Sequence, residues 1–434
     1  MISIWQTNSD FGGFEPLNGN TAADVLVIGG GMAGLLTAYM LTAAGADVVL
    51  AEQNSICGGV TRYTTAKITS QHGLIYDKIT RKYGRKRALA YLRANENALR
   101  RYRELCGKID CDFEERPSFV YSLYDRAALE AEAAALTHLG YPAELTKDLP
   151  LPFHTVGAVK FPRQAQFDPL KFAAGISKEL RIYEHTKVLE LTPYSALTDK
   201  GKITAKVMVC ATHFPFINKH GSYFLKMYQQ RSYVLALENA PDLGGMYVDE
   251  AEGGISLRNY GKYLLLGGGG HRTGKSGGGW RKLSYLAYKY YPDLKEKYRW
   301  ATQDCMTLDG IPYIGRYSAN TPDFYVATGF NKWGMTSSMA AALLLTDMIT
   351  GRKNEFESLF SPSRSILQPQ LALNALEAAA NLLTPTERRC PHMGCALKWN
   401  PQEHSWDCPC HGSRFDAEGN LLDNPATSGI KPDR

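Results

Sequence analysis

The sequence predicts an α/β protein with a second, antiparallel sheet and a small β domain at its C terminus. Three observations predict this fold. Residues 23–53 have the pattern of a strand, a glycine-rich turn, a helix and a second strand. Residues 232–238 and 260–270 have the apolar and aromatic composition of paired strands. Residues 390–434 contain two short boxes of cysteine and histidine, which are typical of loops that hold a metal.

The composition favours an enzyme and argues against a nucleic-acid-binding protein. The chain has 434 residues, of which 44% are hydrophobic and 21% charged. This balance is typical of α/β enzymes, and the length suggests about three domains. The net charge of +6 is small for this length, and no basic run is interleaved with aromatic residues. We therefore expect no nucleic-acid partner.

The chain is expected to be cytoplasmic. Its first 16 residues lack the basic and apolar regions of a signal peptide. No segment has the ~20 consecutive apolar residues that an integral membrane helix needs. The cysteines outside the C-terminal boxes are scattered without metal-binding spacing, as expected for reduced thiols. They are Cys57, Cys106, Cys111, Cys210 and Cys305.

The N-terminal unit predicts a Rossmann-like dinucleotide-binding fold. An apolar run, Val25–Ile28, predicts a buried parallel strand, and a helix is expected to follow as far as Ala44. A second strand, Asp47–Ala51, ends in Glu52. Between the first strand and the helix lie the three glycines of a Gly-x-Gly-x-x-Gly motif: Gly29, Gly31 and Gly34.

Each part of this motif has a physical role in binding a dinucleotide. Gly29 makes the tight turn, Gly31 lets a pyrophosphate approach the backbone, and Gly34 lets the helix pack close to the sheet. The pyrophosphate is expected at the helix N-terminus, where free N–H groups favour an anion. Glu52 is expected to accept hydrogen bonds from the adenosine ribose.

Four later segments resemble the D-amino-acid-oxidase-like (DAO-type) flavoprotein superfamily. They are GGVTRYTTAKITSQHG (58–73), KVMVCATHFPF (206–216), TLDGIPYIGR (307–316) and YVATGFNKWGMTSS (325–338). The resemblance implies that the dinucleotide is FAD. It also implies that the N-terminus of a helix over Met335–Ile349 points at the flavin pyrimidine and stabilises the negative charge of reduced flavin. The implied cofactor-binding residues are Gly29, Gly31, Met32, Ala33, Gly34, Glu52, Gly59, Thr61, Thr64, Thr65, Lys67, Val188, Thr212, Asp309, Gly329, Gly334 and Met335.

The same resemblance implies that residues 1–366 form an FAD-dependent oxidoreductase with a discontinuous cofactor domain. Its FAD-binding parts are expected near 21–100, 155–218 and 302–355. The stretches near 101–154 and 219–301 are expected to form a substrate domain with an antiparallel sheet.

Six residues in stretches that border the flavin cavity in this superfamily are candidates for substrate contact. They could bind a carboxylate and enclose an amine or alkyl chain. They are Arg231, Tyr233, His271, Arg272, Lys332 and Trp333. Each also has an ordinary alternative role: a turn cap for His271, a core position for Trp333 and a solvated surface for Lys332. No catalytic residue is assigned, because hydride transfer to a flavin does not require a protein base.

The C-terminal boxes, CPHMGC (390–395) and CPCHGSRF (408–415), supply two thiolates and two imidazoles from two loops. This is the ligand set of a Rieske [2Fe-2S] centre, in which two histidines replace two cysteines on one iron. The same four side chains could instead hold a structural zinc ion. Zinc sites rarely carry the additional cysteine that each box has, or the His-Gly-Ser continuation.

The boxes resemble those of the Rieske proteins of cytochrome bc complexes. The resemblance implies that Cys390 and Cys408 bind one iron and that His392 and His411 bind the other. It also implies a disulfide between the two loops. The disulfide pair is Cys395 and Cys410.

Two further positions in the second box set the reduction potential in these relatives. Ser413 lies where high-potential members hydrogen-bond a bridging sulfide, whereas Phe415 replaces a tyrosine that donates to a ligand sulfur. An intermediate potential is therefore expected. The supporting domain, 389–434, looks truncated: a helical linker, 367–388, stands where most strands of the β base would precede the first box. Only Pro425 remains of the Gly-Pro loop that usually covers the cluster.

Taken over nearly its whole length, the chain resembles FAD-dependent oxidoreductases of the glycine oxidase and amino-acid oxidase type that carry a Rieske domain. We expect it to oxidise an amine or amino acid by hydride transfer to FAD. Its electrons would leave through the [2Fe-2S] centre to an acceptor such as a quinone or an electron carrier. Two alternatives remain: an oxidase that uses O₂ and has a vestigial cluster domain, and a redox-sensing module that holds zinc.

Overall fold

The computed structural model describes residues 1–7, 12–217 and 220–430. The last four residues of the expected C-terminal domain and residue 219, where the substrate part was expected to resume, lie outside the described residues. The helices are α1 Met32–Ala43, α2 Ile75–Tyr83, α3 Arg85–Cys106, α4 Arg126–Leu139, α5 Pro169–Ser177, α6 Tyr223–Lys226, α7 Gly279–Tyr290, α8 Gly334–Ile349, α9 Glu357–Phe360 and α10 Pro369–Leu383. The strands are β1 Thr21–Ile28, β2 Val48–Ala51, β3 Lys67–Ile68, β4 Glu114–Ser122, β5 Glu144–Thr146, β6 Gly157–Gln166, β7 Arg181–Tyr183, β8 Val188–Thr192, β9 Ser195–Thr198, β10 Lys202–Cys210, β11 Met227–Glu238, β12 Met246–Asp249, β13 Ser256–Tyr260, β14 Tyr263–Arg272, β15 Lys295–Thr307, β16 Tyr313–Arg316, β17 Phe324–Thr328, β18 Lys398–Asn400, β19 Ser405–Asp407, β20 Arg414–Phe415 and β21 Leu421–Asp423.

The first sheet is the predicted α/β layer. Its strands run in the order β16-β17-β10-β1-β2-β7, and β1 pairs in parallel with both β2 and β10. The inner ends of β1 and β2 are buried, as the apolar composition of both strands predicts. Helices α1 and α8 pack against each other beside this sheet. Most of their residues are buried, which agrees with a surface that is apolar on nearly all sides of each helix.

The second sheet has nine strands in the order β15-β11-β14-β13-β12-β4-β6-β3, with β5 paired to β6. It is antiparallel except for the β12–β4 pair. The expected strands 232–238 and 260–270 fall on β11 and β14, which pair with each other. β6 and the end of β15 lie in this sheet, although the boundaries expected near 155 and 302 assign them to the FAD-binding parts. Both strands belong to the second sheet because they form backbone pairs there, β6 with β4 and β15 with β11. The positions of the sequence motifs do not reveal this pairing.

The third sheet is small and antiparallel, and it contains β18 to β21 in sequence order. Within the described residues, all four strands follow the first cysteine box, and the helix α10 precedes it. This is the arrangement expected of a domain that lacks the strands before that box. α10 turns a polar side inwards: Asn374 and Asn381 are buried, whereas Leu373 and Leu376 are exposed. No helix among the described residues is long and apolar enough to cross a membrane.

Candidate functional site

One cavity of about 1610 Å³ extends from the glycine turn, past the second sheet, to the C-terminal domain. Most of the expected cofactor residues line it. These are Gly29, Gly31, Met32, Ala33, Glu52, Gly59, Thr61, Thr64, Thr65, Lys67, Val188, Thr212, Gly334 and Met335. Gly34, Asp309 and Gly329 do not line it.

The glycine turn is shaped by close backbone approach. Gly29 has φ +106°, and a Cβ on Gly34 would lie 1.8 Å from the carbonyl oxygen of Gly29. Side chains at these two positions would therefore collide with the backbone. A Cβ on Gly31 would meet only the hydroxyl of Thr61, at 3.6 Å. Space is thus kept open at the start of α1, where a pyrophosphate would fit.

Glu52, at the end of β2, closes one side of this turn. Its carboxylate accepts hydrogen bonds from the backbone N–H of Gly30 at 2.7 Å and of Asn54 at 2.8 Å. Burial raises the pKa of Glu52, and these backbone donors oppose the rise. Glu52 also lines the cavity, so its position suits a contact with a ribose.

Asp309 and Gly329 have structural roles. Asp309 forms an ion pair with Arg364 at 2.8 Å, and it accepts a hydrogen bond from the hydroxyl of Tyr83. Burial would raise the pKa of Asp309, but Arg364 outweighs burial and lowers it. Gly329 has φ +72°, and a Cβ there would lie 2.3 Å from the methyl group of Thr307. Asp309 lies in the turn between β15 and β16, and Gly329 lies in the turn between β17 and α8; neither residue lines the cavity.

Three of the six substrate candidates, Tyr233, Lys332 and Trp333, line the cavity. The ring of Trp333 stacks on His72 with centroids 5.0 Å apart. Lys332 has φ +73° and is exposed to the cavity. The hydroxyl of Tyr233 donates to Glu403 at 3.0 Å.

The other three candidates lie at the contact with the C-terminal domain and do not line the cavity. Arg231 pairs with Glu403 through two hydrogen bonds. Arg272 donates to the carbonyl oxygens of Pro409 at 2.9 Å and Cys410 at 3.0 Å. The ring nitrogens of His271 contact the hydroxyl of Tyr233 at 3.1 Å and the carbonyl of Arg272 at 2.9 Å. Arg231 and Arg272 therefore hold the C-terminal domain on β11 and β14, whereas His271 bonds to residues of the large domain.

The cavity has polar lining residues that the sequence analysis missed. Gln230 on β11 and Asp304 on β15 are register partners, and both line the cavity. Gln230 donates to Glu252 at 2.7 Å. Burial raises the pKa of Asp304 to about 6, against the opposing effects of Lys332 and Arg231. The alternation of side chains along β15 predicts that Asp304 and Thr302 share one face of the strand. It does not predict which face meets the cavity.

The four expected metal ligands come together at the tips of the two C-terminal loops. The rings of His392 and His411 lie 5.0 Å apart, and the thiols of Cys390 and Cys408 are hydrogen-bonded to each other. Burial lowers the pKa of His392 to about 4 and that of His411 to about 3, so both imidazoles are neutral and able to bind a metal.

The surroundings of these ligands fit a metal cluster. Nδ1 of His411 is buried and has no hydrogen-bond partner among the described residues. An iron atom would satisfy this nitrogen. A disulfide between Cys395 and Cys410 joins the two loops. The hydroxyl of Ser413 accepts a hydrogen bond from the backbone N–H of Ala426 at 2.9 Å.

The cluster loops are held directly on the large domain. Gln229 on β11 donates to the carbonyl of His411 at 2.8 Å, and Gln303 on β15 donates to that of Gly412 at 2.8 Å. Asn424 donates to the carbonyls of Thr212 at 2.9 Å and Phe214 at 2.7 Å. Thr212 lines the cavity together with residues 421–424 and 426–427 of the C-terminal domain. The segment that follows the second cysteine box therefore forms part of the cavity wall, whereas residues 408–415 do not line the cavity.

Comparisons with known proteins agree with this architecture. A family model described as FAD dependent oxidoreductase (DAO) matches residues 24–348, and a Rieske [2Fe-2S] domain model matches residues 363–432. The chain is 35% identical to YhfW of Bacillus subtilis (strain 168), named as a Rieske 2Fe-2S iron-sulfur protein, over 99% of this chain and 97% of that one. It is 25% identical to the gamma-glutamylputrescine oxidoreductase of Escherichia coli (strain K12), over 83% of this chain and 93% of that one. The fold matches the crystal structure of glycine oxidase from Geobacillus kaustophilus with a TM-score of 0.67 and 19% identity, covering 79% of this chain and 99% of that one.

The chain belongs to the DAO family of FAD-dependent oxidoreductases and carries a C-terminal Rieske domain. It is an FAD-dependent oxidoreductase, and its cofactors are FAD and a [2Fe-2S] cluster. The bound flavin supplies two-electron chemistry, and the cluster accepts electrons one at a time.

Proposed function

We propose that this enzyme oxidises an amine and passes the electrons singly through the Rieske centre to an external acceptor. The observation that carries the proposal is that the C-terminal domain closes one side of the cavity while its second cluster loop is bonded to β11 and β15. Residues 421–424 and 426–427 line the cavity. A one-electron centre in the domain that closes a flavin cavity is well placed to accept electrons from a two-electron cofactor.

The two histidines of the cluster site face different surroundings. His411 is 6% exposed, and its ring meets that of Phe224 on the large domain, with centroids 6.1 Å apart. His392 is only half-buried, and its neighbour Met393 is 44% exposed. We infer that electrons enter the cluster on the His411 side and leave on the His392 side, where a quinone or a carrier protein can approach.

The cavity favours an amine over an amino acid. A substrate carboxylate is usually held by a bidentate arginine, and no arginine lines the cavity among the described residues. Arg231 and Arg272 are both engaged with the C-terminal domain. The cavity presents the carboxylates of Asp304 and Glu252 instead, and these attract a cation. The substrate named for the relative in Escherichia coli is also an amine.

The test is anaerobic reduction of the purified enzyme by a panel of amines and amino acids. We expect about two irons per chain, bleaching of the flavin by an amine, and then the electron paramagnetic resonance signal of a reduced cluster. Cys408→Ser should keep flavin bleaching and lose both the cluster signal and the reduction of an artificial acceptor. Zinc without labile sulfide would refute the cluster route. Fast reoxidation by O₂, equal in the variant, would favour a plain oxidase.

A further inference from the structure

The cavity contains a lysine in an unusual setting. Lys67 is the first residue of β3, the strand that follows β2 along the chain, and it lines the cavity. Its ammonium nitrogen donates to the hydroxyls of Thr65 at 3.0 Å and Ser256 at 3.4 Å. Both hydroxyls also border the cavity. Among the described residues, no carboxylate forms an ion pair with Lys67, and the charged group that acts on it is Arg258.

Arg258 is a buried cation without a hydrogen-bond partner. It lies on β13 two residues beyond Ser256, so the two side chains share a face of the sheet. The side chain is fully buried, and none of its three guanidinium nitrogens has a partner among the described residues. Its guanidinium carbon lies 5.3 Å from the ring centre of Trp5 and 5.9 Å from that of Tyr260. Aromatic faces are thus its main electrostatic support.

The carboxylates nearest to Arg258 are committed to other partners. Asp168 caps α5 by accepting from the N–H groups of Leu170 and Lys171. Glu114 on β4 pairs with Arg116 and accepts from Gln166 on β6. Both carboxylates act on Arg258 through space, but neither forms a hydrogen bond with its guanidinium group. Burial lowers the pKa of Arg258 to about 9, which leaves it charged at neutral pH.

This arrangement disfavours a second positive charge on Lys67. Burial first, and then Arg258, lower the pKa of Lys67 to about 7. Above that pH the side chain is a neutral amine with a free lone pair. An ordinary lysine, with a pKa of about 10.4, would be protonated throughout the physiological range.

We propose that Lys67 is the base that removes a proton from the ammonium group of the substrate before oxidation. The inference rests on the proposed amine-oxidising function. One N–H bond of the substrate breaks, and its proton forms a new N–H bond at Nζ of Lys67. The freed lone pair would favour loss of the α-hydrogen with both bonding electrons, and bound FAD would accept this hydride. The product is an iminium ion, and Lys67 keeps the proton until it is released to solvent.

The first test measures the ionisation of Lys67 without turnover. FAD-loaded enzyme is labelled with trace acetic anhydride from pH 5 to 11, and each lysine is quantified by mass spectrometry of its peptide. We expect a midpoint near 7 for Lys67. Lys206 serves as the reference in the same digest, because it is exposed and its ion pair with Asp24 raises its pKa. A Lys67 midpoint above about 9.5 would overturn the proposal.

Two variants of Arg258 test the cause. Arg258→Met removes the charge and should raise the Lys67 midpoint by about one unit or more. Arg258→Lys keeps a cation and should leave the midpoint near the wild-type value. If the methionine variant fails to fold, the wild-type midpoint still decides the outcome.

The kinetic test separates a base from a fixed charge. For the wild type, kcat/KM for flavin reduction should rise about tenfold per pH unit below the midpoint and level off above it. Lys67→Met and Lys67→Arg should both lose the levelling near pH 7, because only the small fraction of free amine in solution then reacts and that fraction keeps rising with pH. Both should reduce the flavin at least about 100-fold more slowly at pH 7.5. Recovery of the rate in the arginine variant would mean that only the charge matters and would overturn the proposal. If no amine reduces the flavin, the proposed function fails as well, whereas a midpoint near 10 with amine-dependent reduction rejects the role of Lys67 alone.

Discussion

Replacing Glu403 with glutamine should loosen the C-terminal domain, because Glu403 joins two buried arginines. Arg231 on β11 pairs with it through Nε at 3.0 Å, and Arg414 on β20 pairs with it at 2.8 Å. The side chains of Arg231, Glu403 and Arg414 are 3%, 0% and 5% exposed. Glu403→Gln keeps the shape of the side chain and removes its charge. Arg231 then has no carboxylate partner among the described residues, whereas Arg414 keeps Asp407 and Asp423, both at 3.0 Å.

The size of the effect follows from the pKa of Glu403. Burial alone would raise it, but Arg231 and Arg414 outweigh burial and lower it from 4.5 to about 2. At 1.36 kcal/mol per unit, this shift corresponds to roughly 3 kcal/mol of stability. Removing one member of a buried ionic group typically costs about 3–5 kcal/mol. We therefore expect a loss of about 3–5 kcal/mol at pH 7.

The pH dependence has a definite sign. The pKa of Glu403 is lowered by folding, so its contribution is fully present above about pH 4.5. It is lost as the pH falls from about 4.5 towards 2. The wild type and Glu403→Gln should therefore differ at pH 7 and converge in acid.

Hydrogen exchange followed by mass spectrometry can measure this loss locally. Peptides covering residues 398–423 should exchange about 100-fold faster or more in Glu403→Gln at pH 7. Glu130→Gln is the matched control, because Glu130 pairs with Arg126 on the surface with 53% and 39% of their side chains exposed. That variant should change stability by less than about 1 kcal/mol. Equal exchange in the two variants would refute the proposed role of the buried network.

Two further predictions concern the cofactors. Gly31→Val should fold and purify colourless, because its side chain meets little protein but enters the pyrophosphate space, whereas Gly34→Ala should fail to fold because its Cβ would lie 1.8 Å from the Gly29 carbonyl. Visible absorbance and circular dichroism separate the two outcomes, and a yellow Gly31→Val protein would contradict the first. Ser413→Ala should lower the cluster midpoint and Phe415→Tyr should raise it, because a donor to sulfur stabilises the reduced cluster. A charge-assisted hydrogen bond of about 1.5–3 kcal/mol corresponds to roughly 65–130 mV for one electron. Redox titration of the three proteins measures both shifts, and unchanged midpoints in both variants would show that neither residue faces the cluster.

Contiguous motifs made most of the fold and both cofactors predictable. The glycines of the first turn, the helix after Gly334 and the two cysteine boxes each carry their chemistry within a few residues. Backbone geometry and donor type are then nearly independent of the rest of the chain. The predicted strands 232–238 and 260–270 were also found, because their composition is that of buried sheet.

The tertiary structure alone decided which side chains meet the cavity. In the sequence, Arg231 and Arg272 were candidates to bind a substrate carboxylate. In the structure, Arg231 instead forms an ion pair with Glu403, 172 positions further along the chain. The sequence did not predict that Asp304 and Arg258 lie at or near the cavity. Alternation along a strand defines its two faces but does not show which residues cover either face. The glycine turn and the cluster ligands are set by local geometry, which the sequence encodes directly. The charge partners of Arg231 and Lys67 depend on strands brought together only by folding, because electrostatic pairing acts through space and leaves no periodic signal along the chain.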